Sequence, residues 1–264
     1  MKKMRLDELV VEQGLAESVD KARRLIMAGE IRSGDRVWEK AGEKVPVETN
    51  LELKGQPCKW VSRGGLKLER ALESFSFNPR GMRCLDIGAS TGGFTHVLIE
   101  YGAKEVVALD VGYGILDSRI RNDSRVIVKD RTNFRLVEPD SLGQPFDLIV
   151  TDVSFISLRM IFPKAKELLE TNGSIIALIK PQFEAPRGLV PAGGVITDAE
   201  THFLVVKELA DFAAEMAGLQ LKKLEPVPLI SRKKNIEFVS LWDTDKDRIS
   251  DQKIRETITL AHSR

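Results

Sequence analysis

Five short, largely apolar runs recur along most of the chain: Met82–Ile87, Glu105–Asp110, Arg125–Lys129, Phe146–Thr151 and Ser174–Lys180. Stretches with helical spacing separate them, among them Phe94–Tyr101 and Phe162–Glu170. Strand-sized apolar runs alternating with helices predict an α/β, Rossmann-like domain, a doubly wound and mostly parallel sheet with helices on both faces. A last strand near Ile236–Trp242 follows Pro226 and Pro228 and is expected to run antiparallel to the others. This domain is expected over 61–245. The remaining 246–264 read as a charged tail with weak helical periodicity through Ile249, Ile254 and Ile258.

The first sixty residues break that rhythm. Leu6, Leu9 and Val10 have helical spacing, Gln13-Gly14 marks a turn, and Ser18 reads as the N-cap of a second helix carrying Ala22, Leu25 and Ile26. Gly29 is placed to stop that helix. Short strand-like pieces follow at Ile31-Arg32, Arg36–Trp38, Val45 and Leu51–Leu53, with a break at Ser33-Gly34-Asp35. Residues 1–60 are therefore expected to form a small α+β module, near the lower size limit for independent folding.

Charge and composition narrow the function. With 40 Lys+Arg against 39 Asp+Glu, the chain cannot act as one large polycation, so any polyanion must be met by local patches. Residues 1–60 are themselves balanced, but basic residues cluster at Lys2-Lys3-Arg5 and Lys21-Arg23-Arg24, where Arg5, Lys21, Arg23 and Arg24 are candidate phosphate contacts. A solvated amphipathic face is the plain alternative. No apolar run approaches the roughly 18–20 residues of a membrane-spanning helix. The first residues carry acids where a signal peptide needs its apolar core. Two cysteines, Cys58 and Cys84, suggest a reducing, cytoplasmic setting without a disulfide framework. His96, His202 and His262 have no metal-ligand spacing, so no metal is expected.

The first strand of the sheet runs into Asp86-Ile87-Gly88-Ala89-Ser90-Thr91-Gly92-Gly93-Phe94. Such a glycine-rich turn lets a ligand approach the backbone at a helix N-terminus. Its spacing matches neither a dinucleotide fingerprint nor a P-loop. A carboxylate at Asp86 would repel a pyrophosphate and attract a cation. Asp110 ends the next strand, where an acid can accept from ribose hydroxyls, and Asp130 ends the third, within reach of an adenine amine. A nucleoside that also carries an ammonium and a sulfonium, S-adenosylmethionine, answers this pattern; close strand-to-helix packing is the structural alternative for the glycines.

Ligands in such sheets sit beyond the carboxyl ends of the strands, where Asp152 and Lys180 lie. Base-amine methylation usually calls for an Asn/Asp-Pro-Pro-aromatic turn, but this chain has Asp152-Val153-Ser154-Phe155. A lysine flanked by carboxylates suits an alcohol acceptor instead, holding its oxygen in line with the methyl group. Spacing does not decide whether Lys180 serves as base or as cation. Singly, each residue has a plain reading: Lys67 a solvated helix residue, Asp152 a loop cap, Lys180 an ion-pair partner, Glu237 an exposed strand residue.

Together, Ser62-Arg63-Gly64-Gly65-Leu66-Lys67-Leu68, the Asp86–Phe94 loop, Asp110-Val111-Gly112-Tyr113-Gly114, Asp152–Ser157 and Lys180-Pro181-Gln182-Phe183-Glu184 closely resemble the TlyA family. These are the bacterial "hemolysin A" proteins, similar to FtsJ-like ribose 2′-O-methyltransferases. The resemblance covers nearly the whole chain, and only the tail carries no matching motif. It implies a Lys-Asp-Lys-Glu tetrad at Lys67, Asp152, Lys180 and Glu237, with Asp152 and Glu237 orienting Lys180. It further implies S-adenosylmethionine on the Asp86–Phe94 loop with Asp110 on its ribose, and a ribosomal RNA cytidine 2′-hydroxyl as acceptor. The first module resembles S-four-type RNA-binding domains. Arg63, Arg131 and Arg232-Lys233-Lys234 would then clamp phosphates near the site, and the Gly/Pro-rich Ala185–Gly194 segment reads as a lip over it or as a plain loop. Trp60 is expected to pack at the junction or to stack on a base. The rival expectations are a ribosome-assembly factor that binds the cofactor without transferring methyl, and a membrane-active toxin. Oligomeric state is not readable.

Overall fold

The computed structural model describes residues 3–33, 36–49, 51–53, 59–227 and 235–263, which fall into two compact units, Met1–Lys59 and Trp60–Arg264. Lys2, the Gly34-Asp35 turn, Cys58, Pro228 and the Arg232-Lys233-Lys234 run, all singled out above, lie outside the described residues.

In the first unit, β1 (Lys3–Arg5) leads directly into α1 (Leu6–Glu12). The Ser18 hydroxyl accepts from the Lys21 N–H at 3.2 Å and starts α2 (Val19–Met27), and Gly29, at φ +68°, stops it. β2 (Ile31–Ser33) pairs antiparallel with both β3 (Arg36–Trp38) and β5 (Glu52–Leu53), while β4 (Lys44–Pro46) pairs antiparallel with β1. Strand β1 escaped the sequence reading because Lys3-Met4-Arg5 is too short to show an alternation. Leu6, Leu9, Val10, Ala22, Ile26, Ile31, Trp38, Val45 and Leu51 form this unit's core.

The second unit begins with α3 (Gly64–Phe75), whose Leu68, Ala71, Leu72 and Phe75 recur at helical spacing and are buried. There follow β6 (Arg83–Ile87), α4 (Gly93–Glu100), β7 (Glu105–Leu109), α5 (Ser118–Arg121), β8 (Val126–Lys129) and β9 (Phe146–Thr151). Next come α6 (Phe162–Glu167), β10 (Leu169–Ile179), α7 (Pro181–Glu184), α8 (Ala199–Ala217), β11 (Gln220–Pro226), β12 (Phe238–Asp243) and α9 (Asp251–His262). The seven-stranded sheet has the order β11-β12-β10-β9-β6-β7-β8. Strands β6 to β10 pair in parallel, and β12 lies antiparallel to both of its neighbours, β10 and β11. Cys84, Leu85, Asp86 and Ile87 are buried in succession, as expected of a strand covered on both faces. The chain winds outward from β6 through β7 and β8, then returns to β9 on the other side. This reversal opens a crevice beyond the carboxyl ends of β6 and β9.

In two places the structure departs from the sequence reading. The helix expected to reach Glu170 ends at Glu167, because Leu169 already pairs with Phe146 before the register slips ahead of Ser174. Strand β11 went unseen, since a bulge between Leu221 and Lys223 spoils its alternation. The periodicity read in the tail corresponds to α9: Ser250 caps it, and Ile254, Ile258 and Ala261 belong to the same buried cluster as Leu221, Phe238 and Trp242. Among the described residues, no helix is long and apolar enough to cross a membrane.

Candidate active site

At the crevice, Gly88 and Ala89 both donate their N–H groups to the Leu109 carbonyl, at 2.9 and 3.1 Å, which turns the chain sharply after β6. Gly88 has φ +79°, and a Cβ there would stand 3.1 Å from the Val153 side chain. The two Asp110 oxygens accept from Ser90 N–H (2.8 Å) and Gly112 N–H (2.7 Å), so this carboxylate ties the first loop to the second. Beside them lies a cavity of about 350 Å³ bordered by Gly88, Ser90, Asp110, Asn133, Asp152 and Ser154. That volume falls in the ~300–1,000 Å³ range of small-molecule sites.

Other residues expected at the cofactor have different work. Asp86 is 1% exposed and accepts from the Thr95 hydroxyl (2.6 Å) and N–H (3.0 Å), so it pins the start of α4 and does not border the cavity. Burial pushes its carboxyl up to about 7 against the lowering effect of the Thr95 bonds. Asp130 accepts from Arg121 (2.7 Å) and Gly114 N–H (3.2 Å), and the cavity rim after β8 is formed by Thr132 to Arg135 instead. Ala89 and Phe94 are buried, and Thr91 gives its carbonyl to the Asp117 N–H. A Cβ on Gly92 would meet Leu116, and one on Gly93 would meet Ser62 and the backbone of Gly65. At these two positions the packing reading of the glycines holds. Trp60 is also a packing residue: it is buried, bonds Glu69 through its indole N–H (2.9 Å), and meets the His96 ring edge-on.

Four charged residues from four chain segments meet beside the cavity. Lys67 Nζ, from α3, donates to Asp152 Oδ2 (3.1 Å) and Glu237 Oε2 (2.8 Å). Asp152 Oδ1 lies 2.6 Å from Lys180 Nζ, an ion pair without the alignment of a hydrogen bond. Lys180, almost fully buried at the start of α7, donates to Ser154 Oγ at 2.8 Å. The result is an alternating row: Glu237, Lys67, Asp152, Lys180, Ser154. Burial works against the Lys67 ammonium, but the charges of Asp152 and Glu237 and their hydrogen bonds outweigh it and raise its pKa. Glu237 therefore orients Lys67, not Lys180 as expected from the sequence.

Sequence reasoning gave no role to three residues here. Ser154 carries the hydrogen bond to Lys180. Phe155 is 91% exposed at φ +63°, a backbone conformation costly for a bulky side chain, and its ring lies 5.1 Å from Phe183. Glu184 is buried and accepts from the Ser157 hydroxyl (2.5 Å) and Leu158 N–H (2.8 Å); burial pushes its carboxyl up. The available signal was position: all three flank Asp152 or Lys180 within four residues.

The candidate polyanion contacts are distributed differently. Arg63 is exposed one helical turn before Lys67, and Arg131, at φ +53°, lies over the Tyr113 ring at 4.2 Å. In the first unit, Arg5 and Arg23 converge on Asp7, which is fully buried: Arg5 grips both oxygens (3.0 and 2.7 Å) and Arg23 one (2.9 Å). Lys21 and Arg24 are exposed on α2. A wider hollow of about 670 Å³ in this unit is bordered by Arg36, Trp38, Glu39, Lys40 and Glu43, with Arg36 and Glu43 paired at 2.8 Å. His202 and His262 pair with each other at 2.9 Å, and among the described residues no group of His, Cys, Asp and Glu could hold a metal.

Residues 60–242 match the FtsJ-like methyltransferase family and residues 4–51 the S4 domain. The chain belongs to the FtsJ-like methyltransferase family. YqxC of Bacillus subtilis is 45% identical over 240 residues, spanning 90% of this chain and 85% of YqxC. The 16S/23S rRNA (cytidine-2′-O)-methyltransferase TlyA of Mycobacterium tuberculosis is 41% identical over 248 residues, 94% of this chain and 92% of TlyA. A solved structure named as a hemolysin from Streptococcus thermophilus superposes with a TM-score of 0.78 at 38% identity, over 100% of this chain and 97% of that one. Membership of this family implies S-adenosylmethionine as the methyl donor. Each Asp110 oxygen, engaged by a single N–H, keeps a lone pair with which it could accept from a ribose hydroxyl.

Proposed function

We propose that this chain methylates the 2′-hydroxyl of a ribose, in a cytidine of ribosomal RNA, using S-adenosylmethionine. The observation that carries this reading is the alternating row of two lysines and two carboxylates, which reaches the cavity at Asp152. S-adenosylmethionine, when bound, supplies an electrophilic methyl group on a sulfonium. Gly88, Ser90 and Asp110 would hold it.

The remaining chemistry belongs to the chain's own groups. A 2′-hydroxyl is a weak nucleophile, and it improves as its proton is drawn off or its developing negative charge is met. Lys180 Nζ is the group for both tasks, because near-complete burial keeps water away from it. Asp152 holds Lys180 on one oxygen and Lys67 on the other, and Glu237 completes Lys67's partners. Lys67 thus fixes the carboxylate plane of Asp152 and lends a second positive charge near the acceptor oxygen. Phe155 offers an uncovered aromatic face next to this row, on which an unstacked base can lie. The S4 match and the exposed basic residues Lys21, Arg24 and Arg63 support RNA as the partner. Ribosomal RNA as substrate would put the reaction in the cytoplasm.

The test is transfer of tritiated methyl from S-adenosylmethionine to ribosomal subunits from a strain lacking the gene, followed by nucleoside analysis. Label in a single 2′-O-methylcytidine is expected. Lys180→Ala should abolish it while S-adenosylhomocysteine still binds. Label on a base would remove the ribose assignment; cofactor binding without label would favour an assembly factor.

A further inference from the structure

A lysine amine sits at the end of a flexible stem and can turn about its last bond, so an ion pair fixes where its nitrogen lies but not how it is turned. Lys180 is in this situation toward Asp152, whose Oδ1 is 2.6 Å away without hydrogen-bond alignment. Among the described residues, the one directed hydrogen bond made by Lys180 goes to Ser154 Oγ, at 2.8 Å. Ser154 also borders the cavity, together with Asp152.

The hydroxyl is itself held in place. Phe155 turns the backbone at φ +63° directly after Ser154. Three and four residues beyond Ser154, the Ser157 hydroxyl and the Leu158 N–H are gripped by Glu184 at 2.5 and 2.8 Å. Glu184 ends α7, the short helix that Lys180 begins. The loop bearing the serine and the helix bearing the lysine are therefore tied at two points, Ser154 to Lys180 and Ser157–Leu158 to Glu184. With one χ angle, serine offers an oxygen whose position follows closely from its backbone. A hydroxyl oxygen can accept an N–H from an ammonium, and more weakly from a free amine, so it keeps hold of the nitrogen in both protonation states.

We propose that Ser154 is a positioning residue whose hydroxyl turns the Lys180 amine toward the reacting hydroxyl. This rests on the ribose 2′-O reading above. Asp152 then supplies attraction and Ser154 direction, two functions that a single carboxylate would have to combine.

The full-length protein is compared with Ser154→Ala, Ser154→Thr and Lys180→Ala in single-turnover methyl transfer to ribosomal subunits, with S-adenosylhomocysteine affinity measured by calorimetry. Ser154→Ala should lower the maximal rate about 10- to 100-fold, the range expected for a small misorientation of a reacting group. Its KM for subunits and its S-adenosylhomocysteine affinity should stay within about twofold, and Ser154→Thr, which keeps the hydroxyl, should recover most of the rate. The lysine side-chain ¹⁵N signal lost in Lys180→Ala should broaden in Ser154→Ala, as its N–H groups turn more freely and exchange faster. A Ser154→Ala rate within twofold of the parent overturns the proposal, as does a threonine variant no better than the alanine one or an unchanged Lys180 signal. If Lys180→Ala itself transfers methyl normally, the ribose reading falls and the proposal with it; an inactive Lys180→Ala beside a normal Ser154→Ala overturns the proposal alone.

Discussion

A methyl group added at Gly93 would collide with the Ser62 hydroxyl and stand 2.9 Å from the Gly65 nitrogen. Gly93 opens α4 and Gly65 lies two residues before Lys67, so this glycine sets how closely the helix after the cofactor loop packs on the helix that carries the lysine. Gly93→Ala should cost about 1–3 kcal/mol in urea unfolding and reduce methyl transfer more than S-adenosylhomocysteine affinity, because it displaces Lys67. Asp86 makes a different prediction. Its carboxyl is raised to about 7 in the fold from about 3.9 when unfolded. It therefore contributes stability that is fully present below about pH 4 and is lost as pH rises through 7. Asp86→Asn keeps an oxygen to accept from Thr95 but has no proton to lose. Relative to this variant, the parent should weaken by a few kcal/mol between pH 5 and pH 8 in urea titrations; parallel curves would refute the assignment.

At the scale of elements, the first unit is organised around a carboxylate that the sequence reading passed over. Arg5 and Arg23 were read as phosphate contacts, yet buried Asp7 fixes both Arg5, at the end of β1, and Arg23, in the middle of α2. Hydrogen bonding from Arg5 is the main reason that its carboxyl is lowered to about 2. Its stabilising effect is therefore present above about pH 4 and is lost as pH falls through 2. Asp7→Ala should destabilise this unit by about 1–3 kcal/mol and, by releasing two guanidinium groups from a fixed geometry, weaken RNA binding without changing cofactor affinity. Filter binding and calorimetry on one preparation would check both. The central parallel strands β6, β7 and β9 were legible because they are buried on both faces and appear as nearly unbroken apolar runs. Strands β1 and β11 were not: one is three residues long, and the other carries a bulge that puts Leu221 and Leu224 out of step.

Across the whole molecule, the residues of the charged row could be named from their motifs, but their pairing could not. Glu237 was matched to the wrong lysine because sequence separation carries no information about which of two neighbouring ammonium groups a carboxylate reaches. Ser154 and Glu184 lay inside recognised motifs and still had no role, since a hydroxyl or a carboxylate acquires one only from the loop packed opposite. In the tail the helical spacing of Ile254 and Ile258 was legible, but not the surface it packs on, since the cluster with Leu221, Phe238 and Trp242 comes from distant elements. Deleting residues 246–264 should remove about 1.5–3 kcal/mol for each buried isoleucine and lower the melting temperature sharply; an unchanged melting curve would show that the packing of α9 contributes nothing to stability.

Lys67 and Glu237 touch at 2.8 Å although 170 positions separate them. Glu237 immediately precedes β12, the strand that must enter between β10 and β11 and to which β11 is paired. During translation the cofactor loop is finished long before this strand emerges, and β11 waits without a neighbour until it does. A message interrupted between the Phe94 and Glu237 codons therefore yields a chain that includes the cofactor loop but lacks the second carboxylate and the sheet's closing strand. Nonsense variants late in the gene are accordingly expected to be as inactive as early ones, however much of the protein they make.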